Sequence, residues 1–329
     1  MLEVLVTVID RVLKSPFAIS SYRWESVPCV IVEARQDGEV GRGEGNAIFY
    51  RPETIERLAE ETRTAALSLT SVEDHHLLPA LLGAHGGRSA LDSALWSLRA
   101  RLEGVTVARL AGLPAMRSLT TVNTVGLDSA DNMAARAADL AREYPILKLK
   151  LGVHGDAERV RAIRAAIPAA TRLVIDANSG WSFEELVAIT PTLLEAGIEM
   201  VEQPLPQQRD QELLGYRSPI LLCADESFQT FEDFDYCAAR YGMINVKLDK
   251  CGGLSAALAI GRLARERGIK LMVGNMLGSS LGMAPAFLFG QLCDLCDLDG
   301  PLGLVDDESP PMTFEAGHVM PPQPELWGY

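Results

Sequence analysis

The sequence predicts an α/β protein: a (β/α)8-type barrel behind an α+β N-terminal capping domain that the C-terminal tail completes. Three observations carry this. From about residue 118, short apolar runs alternate with amphipathic stretches, the rhythm of parallel strands joined by crossover helices. There are eight such runs, which favours a closed barrel over an open sheet. Most of them end in polar residues at the same place, where a barrel of this kind carries its chemistry.

Taken in order, residues 4–9 and 29–34 read as strands, and Gly38 supplies a turn into a third at 40–43, a small antiparallel sheet. Pro52-Glu53-Thr54 opens a helix to about residue 69, with acidic residues in its first turn. Residues 90–102 are apolar at helical period and stop at Gly104. The barrel strands follow at 119–125, 146–151, 172–176, 198–202, 220–224, 243–247, 270–273 and 294–298. Helices at 129–143, 156–166 and 183–195 separate the first four. Gly252-Gly253 lacks the spacing of a dinucleotide fingerprint. The Pro-rich tail from about 310 is expected to return to the first domain. The expected division is therefore 1–117 for the cap, 118–309 for the barrel and 310–329 for the tail.

Composition narrows the function. The 329 residues are 48% hydrophobic and 22% charged, ordinary for a globular protein with a sizeable core. A net charge of −14 argues against nucleic acid and against a polybasic grip on membrane. No apolar run approaches bilayer length, and the early charges Glu3 and Asp10 make the start a strand rather than a signal peptide, so cytoplasmic location is the default expectation. Cys293 and Cys296 form a C-x-x-C without a second pair or a nearby histidine, which reads as buried thiols flanking a strand rather than zinc. His75, His76, His85, His154 and His318 show no metal spacing, and most are expected at the surface.

The strand ends carry Lys148-Leu149-Lys150, Asp176-Ala177-Asn178, Glu202-Gln203-Pro204, Ala224-Asp225-Glu226-Ser227, Asn245-Val246-Lys247 and Asp297-Leu298-Asp299. Lys150, Asp176, Glu202, Asp225 and Lys247 recur about one βα unit apart, which places them on one ring at the barrel mouth, at one height. Three carboxylates from neighbouring strands repel one another without a cation, and an all-oxygen set suits Mg2+, with Mn2+ as a substitute. Lys148 and Lys150 stand two apart on a strand and so share a face, the lumen. Lys247 lies nearly across the barrel. A lysine on either side of a metal is a two-base arrangement, able to take a proton from one face of a carbon and return it to the other. A nearby cation and a second lysine would lower a lysine from its ordinary value of about 10.4 toward the range of a general base.

The set Lys-x-Lys, Asp-Ala-Asn, Glu-Gln-Pro, Ala-Asp-Glu-Ser and Asn-Val-Lys-Leu-Asp-Lys-Cys-Gly-Gly resembles the muconate-lactonizing-enzyme subgroup of the enolase superfamily, over nearly the whole chain. The resemblance implies one Mg2+ held by Asp176, Glu202 and Asp225, with Lys150 and Lys247 as an acid/base pair working through an enediolate. Lys148 would bind the substrate carboxylate or tune Lys150. Lys250 is a rival for Lys247, three residues beyond it.

Those residues are shared across the subgroup, whereas Asp297 and Asp299 resemble the Asp-x-Asp with which dipeptide epimerases hold a terminal ammonium; two carboxylates on one face make a cation site. The reading is therefore a dipeptide epimerase, an isomerase whose partner is a small molecule, with homo-oligomerisation left open. An N-acylamino acid racemase or o-succinylbenzoate synthase is the alternative within the subgroup. A metal-stabilised binding protein is the alternative outside it, disfavoured because a binder needs no base on each face. In the alanyl-glutamate epimerases an arginine in the first capping loop reads the acidic side chain; here Trp24 stands at that place with Arg23 beside it. The capping loops also carry Tyr22, Ile48, Phe49 and Tyr50, which would line an apolar pocket or pack on their own domain. Asn275, Met276 and, at lower weight, Thr124 are further expected substrate contacts.

Overall fold

The structure, a computed structural model, describes residues 1–18 and 23–328. The chain opens on a three-stranded antiparallel sheet in the order β1 (Glu3–Ala18), β2 (Arg23–Gln36), β3 (Glu39–Asn46). β1 runs well past the predicted residue 9 because its second half has a second partner. Val305 N–H donates to Val12 O at 2.9 Å, and Leu13 bridges to Leu304, so the segment behind the barrel clasps it. Helices α1 (Ile55–Ala66), the single turn α2 (Leu78–Leu81) and α3 (Gly86–Glu103) cover the sheet. Val30, Val32, Leu58, Leu91, Leu95 and Leu98 make that layer's core. Gly41, Gly43 and Gly45 alternate along β3 and let α3 lie directly on the strand: a Cβ on Gly43 would stand 2.1 Å from Ala90 O. A single turn, α4 (Val107–Leu110), follows.

The predicted strand at 119–125 is two strands. β4 (Leu119–Thr120) pairs with the tail, whose strands are β13 (Phe314–Glu315) and β14 (His318–Val319), and β5 (Asn123–Val125) starts the barrel. The chain then runs α5 (Ala130–Leu140), β6 (Ile146–Lys150), α6 (Asp156–Ala166), β7 (Arg172–Asp176), α7 (Phe183–Glu195), β8 (Ile198–Glu202), β9 (Leu221–Ala224) and α8 (Phe234–Ala238). It continues through β10 (Met243–Lys247), α9 (Leu248–Cys251), α10 (Leu254–Arg267), β11 (Lys270–Gly274), α11 (Ser280–Gly290) and β12 (Leu295–Asp297). β5 to β12 pair in unbroken parallel order. The seam is held by Val122 N–H to Cys296 O at 3.0 Å and Leu298 N–H to Thr121 Oγ1 at 2.9 Å. Between β8 and β9 the connection holds only a 3-10 turn, Asp210–Leu213.

Alternation along the strands sets the lumen. Val122, Ile146, Val174, Met200, Cys223, Met243, Met272 and Leu295, one from each strand or its approach, form a separate apolar cluster that plugs the barrel interior. The intervening residues, such as Leu147, Leu149, Leu173, Ile175 and Val201, face the helices. Two residues beyond each plug residue the same parity returns to the lumen, and there the sequence places Thr124, Lys148, Asp176, Glu202, Asp225, Asn245, Gly274 and Asp297. Beyond β14 the tail reaches α3 and α4: Arg101 donates to Pro324 O, Trp327 Nε1 to Ser93 O and Val107 N–H to Gly328 O. Among the described residues no helix is long and apolar enough to cross a membrane.

Candidate active site

Register explains which side chains meet. Lys150 pairs with Asp176 and Asp176 with Glu202, so these three stand level. Glu202 pairs with Cys223, however, so Asp225 comes two residues later on its strand. The expected ring of equal height is therefore staggered, as the tilt of barrel strands requires. β6 and β10 are four strands apart in the sheet order, which sets Lys150 and Lys247 on opposite sides of the lumen.

The three carboxylates are buried, at 1% exposure for Asp176, 0% for Glu202 and 2% for Asp225. Lys148, itself buried, contacts Asp297 at 2.6 Å, Glu202 at 2.7 Å and Asp176 at 3.1 Å. Lys150 donates to Asp176 at 2.7 Å and to Asn178 Oδ1 at 3.2 Å. Lys247 donates to Asp225 Oδ2 at 2.8 Å, and Lys250 donates to Asp225 Oδ1 at 2.7 Å and to its carbonyl at 2.6 Å. Lys250 is fully buried outside the cavity wall, whereas Lys148, Lys150 and Lys247 line the cavity, so of the two rivals on this segment Lys247 faces the open space.

The electrostatics follow from burial and close charges. Burial favours a neutral Asp176, but Lys150 and Lys148 outweigh it and hold the group down at about 2. Lys148 and Lys247 do not rescue Glu202, which burial and the Asp176 carboxylate push up to about 7. Burial and Asp225 raise Glu226 to about 8. Lys247 and Lys148 are set by the same balance. Burial works to lower both, yet neighbouring carboxylates, Asp225 for Lys247 and Asp297 for Lys148, hold both above the ordinary lysine value. Here the lysines are themselves the cations that balance the acid cluster.

The donor set suits a small divalent cation. It consists of hard carboxylate oxygens, and Glu202 Oε2, though at ion-pair distance from Lys148, makes no hydrogen bond. Among the described residues no three carboxylates stand close enough to grip a metal as they lie, because Lys148 bridges Asp176 and Glu202 while Lys247 and Lys250 hold Asp225.

The cavity above these groups is partly open to solvent. Its wall includes Thr124, Asn275, Met276, Asp297 and Asp299, and Trp24, Phe49 and Tyr50 from the cap. Trp24 and Phe49 meet edge to face at 5.1 Å and Phe49 and Tyr50 at 4.9 Å, so these aromatics both pack together and line the pocket. Ile48 is fully buried and lies outside the wall. Arg23 is exposed and also outside it, since it alternates with Trp24 along β2. Tyr22 lies outside the described residues. β12 ends at Asp297, so Asp299 reaches the cavity from the turn after the strand rather than by strand alternation. There Thr124 N–H donates to it at 3.0 Å, and burial beside Asp297 raises it to about 6. Of the histidines, only His76 and His154 are exposed; His85 is buried as the N-cap of α3, and His75 pairs with Asp92. Cys293 and Cys296 are free thiols, Cys296 buried and Cys293 half-buried.

Sequence reasoning passed over several residues that shape the site. Gln203 is buried at a left-handed φ of 33°. Its Oε1 accepts from Asp225 N–H at 3.0 Å and Ser227 N–H at 3.1 Å, and its Nε2 donates to Leu205 O and Ser227 Oγ. It thereby ties the end of β8 to the loop that carries Asp225. Asn178, Glu226 and Asn46 line the cavity. The first three sat inside strings already singled out by position, and Asn46, at the end of β3, opens the capping stretch that carries Ile48, Phe49 and Tyr50.

Residues 1–112 match the mandelate racemase / muconate lactonizing enzyme N-terminal domain, and 132–325 match the enolase C-terminal domain-like family. The L-Ala-D/L-Glu epimerase of Escherichia coli (strain K12) is 36% identical over 93% of this chain and 96% of its own. An Agrobacterium tumefaciens enolase family member with homology to dipeptide epimerases, solved with sodium and L-Ala-L-Glu, superposes with a TM-score of 0.94 at 37% identity, covering 100% of both chains. The Enterococcus faecalis dipeptide epimerase solved with Mg and L-Leu-L-Tyr has a TM-score of 0.90 at 27% identity, covering 97% of this chain and 96% of the other.

Proposed function

This chain belongs to the mandelate racemase / muconate lactonizing enzyme family, and from that premise we propose that it is a dipeptide epimerase, an isomerase that inverts the α-carbon of the C-terminal residue of a dipeptide. One observation carries the reading: a buried carboxylate set, Asp176, Glu202 and Asp225, lies between lysines four strands apart in an eight-stranded barrel, with a second carboxylate pair, Asp297 and Asp299, on the same cavity wall.

Asp176, Glu202 and Asp225 are the residues that would hold one Mg2+, and the cation would supply electrophilic stabilisation to a substrate carboxylate as charge builds on it. The remaining steps are the protein's own. Lys148 neutralises the floor of the site and orients the substrate carboxylate. One of Lys150 and Lys247, once unprotonated, takes the α-proton, and the other returns a proton to the opposite face. Asp297 and Asp299 pair with the substrate ammonium, which buried alone would cost several kcal/mol. The Trp24–Phe49–Tyr50 cluster covers the cavity and excludes water.

The test is a library of L,L-dipeptides incubated with the full chain and Mg2+ in D2O and read by mass spectrometry. The expected result is a one-deuteron mass gain in a subset of dipeptides, with both α-configurations at the C-terminal residue. Exhaustive chelation should abolish it and added Mg2+ restore it. No exchange in any dipeptide, or exchange that survives chelation, would overturn the reading. Exchange confined to N-acylated amino acids would replace it with the racemase.

A further inference from the structure

The turn that carries Lys247 is gripped from outside by the capping domain. Lys247 ends β10, and α9 follows at once and stops at Gly252-Gly253, both at left-handed φ, 85° and 116°. Two side chains of α3 close on that break. Arg88 donates from Nη2 to Cys251 O at 2.6 Å and from Nε to Gly252 O at 3.0 Å, which satisfies carbonyls at the end of α9. Asp92, one helical turn on, accepts the Ser255 N–H at 3.1 Å in the first turn of α10, and its other oxygen is held by His75 at 2.6 Å. The grip closes only because the two glycines lack side chains: a Cβ on Gly252 would lie 2.1 Å from Arg88 Nε, and one on Gly253 2.6 Å from Asp92.

The front of the same turn is also fixed by the cap. Asp249, in α9, accepts the Asn46 N–H at 2.9 Å. The next residue, Lys250, holds the Asp225 carboxylate and carbonyl. Three residues, Leu248 to Lys250, thus separate Lys247 from the first carbonyl of a clamp that belongs to the other part of the chain. Lys150 has no such dependence: it rides on β6, four strands away, and its partners Asp176 and Asn178 belong to β7 and the loop behind it.

We propose that Arg88 and Asp92 are positioning residues for Lys247, acting through the α9 turn, so that the capping domain governs one of the two proton-transfer faces and leaves the other to the barrel. Neither residue lines the substrate cavity. The inference rests on the two-lysine reading above.

The test compares Arg88→Ala, Arg88→Lys and Asp92→Asn with wild type and with Lys247→Ala, in the Mg2+-loaded full chain. The probe is the L,L-dipeptide library together with its L,D counterparts in D2O. Lys247→Ala identifies which C-terminal configuration loses its proton through Lys247. Exchange of that configuration should fall on the order of ten- to a hundredfold in Arg88→Ala and Asp92→Asn, the cost of a misplaced catalytic group. Exchange of the other configuration should stay within about threefold. Arg88→Lys should recover part of the loss. Equal loss of both configurations, or loss of neither, would overturn the proposal. Backbone hydrogen exchange supplies a readout without substrate: residues 248–255 should lose protection in Arg88→Ala while 146–150 keep theirs. A chain that exchanges no dipeptide at all would remove the two-lysine reading instead, and this second measurement would still decide whether the clamp holds the turn; unchanged protection at 248–255 would end the proposal.

Discussion

At the scale of single residues, the two aspartates after β12 do different work although they stand two apart. Asp297 accepts from Lys148 at 2.6 Å, so it is tied to the carboxylate-binding floor. Asp299 is held at Thr124, whose N–H donates to it, and is pushed up to about 6 by burial and by Asp297, so a cation beside it would favour its charged form. Removing one partner of a buried charge pair costs about 2–5 kcal/mol, roughly thirty- to several-thousandfold in kcat/KM. Asp299→Asn should fall in that range against a dipeptide and lose much less against its N-acylated analogue, which brings no ammonium. Asp297→Asn should lose on both, because it also frees Lys148. The measurement is kcat/KM for both compounds with both variants. Equal losses for Asp299→Asn on the two compounds would remove the ammonium role.

Among the elements, the closest contact between sheet and helix in the cap is the one most exposed to substitution. α3 lies on β3 at a distance set by Gly41, Gly43 and Gly45. The atoms that a Cβ at Gly43 would meet are backbone, Ala90 O at 2.1 Å and Ala94 N at 2.9 Å, which no rotamer change can move. Gly43→Ala should therefore cost about 3 kcal/mol, the upper end of overpacking penalties, read as a lowered urea midpoint; an unchanged midpoint would mean that the two elements separate freely. The barrel elements were legible because each strand obeys period two and each helix period 3.6, local properties of the chain. β7, β8, β10, α6 and α7 fall where the pattern puts them. What the pattern missed depends on distant partners. β4 separates from β5 because it pairs with residues 318–319, β1 lengthens because residues 304–305 clasp it, and Gln203 matters because of what lies beyond β9. The metal-type carboxylates and the lysines were legible for the same local reason, as polar breaks at the ends of apolar runs. The partners that each lysine meets were not, since they follow from how neighbouring strands stagger.

For the molecule as a whole, the question is what keeps the cap seated on the barrel, because Trp24, Phe49, Tyr50 and Asn46 reach the cavity only if it is. Part of the answer is a largely buried polar cluster that joins four separate stretches of chain. Glu44 on β3 accepts from Ser279 N–H and Oγ, both at 2.6 Å, at the start of α11, and from Arg11 on β1 at 2.9 Å. Arg11 also pairs with Glu308, which Arg42 reaches at 2.9 Å. Burial alone would favour a neutral Glu308, but Arg11 and Arg42 outweigh it and hold the carboxyl below its ordinary value. A depressed carboxyl contributes stability that is present in full above the unfolded value, about 4.3, and is lost as pH falls through the lower folded one. Glu308→Gln keeps an acceptor but loses the charge. It should be less stable at pH 7 by about 1.5–3 kcal/mol, the worth of a hydrogen bond to a charged group. Its stability should then decline less than that of wild type between about pH 4.5 and 3, since the group that titrates there has gone. Urea midpoints at those three pH values measure this, and parallel wild-type and variant curves would show that the cluster does not couple protonation to the seating of the cap. A loosened cap should also raise KM at pH 7, because Trp24, Phe49, Tyr50 and Asn46 leave the cavity wall with it, and should slow exchange of the configuration that Lys247 serves more than of the one served by Lys150, which belongs to the barrel.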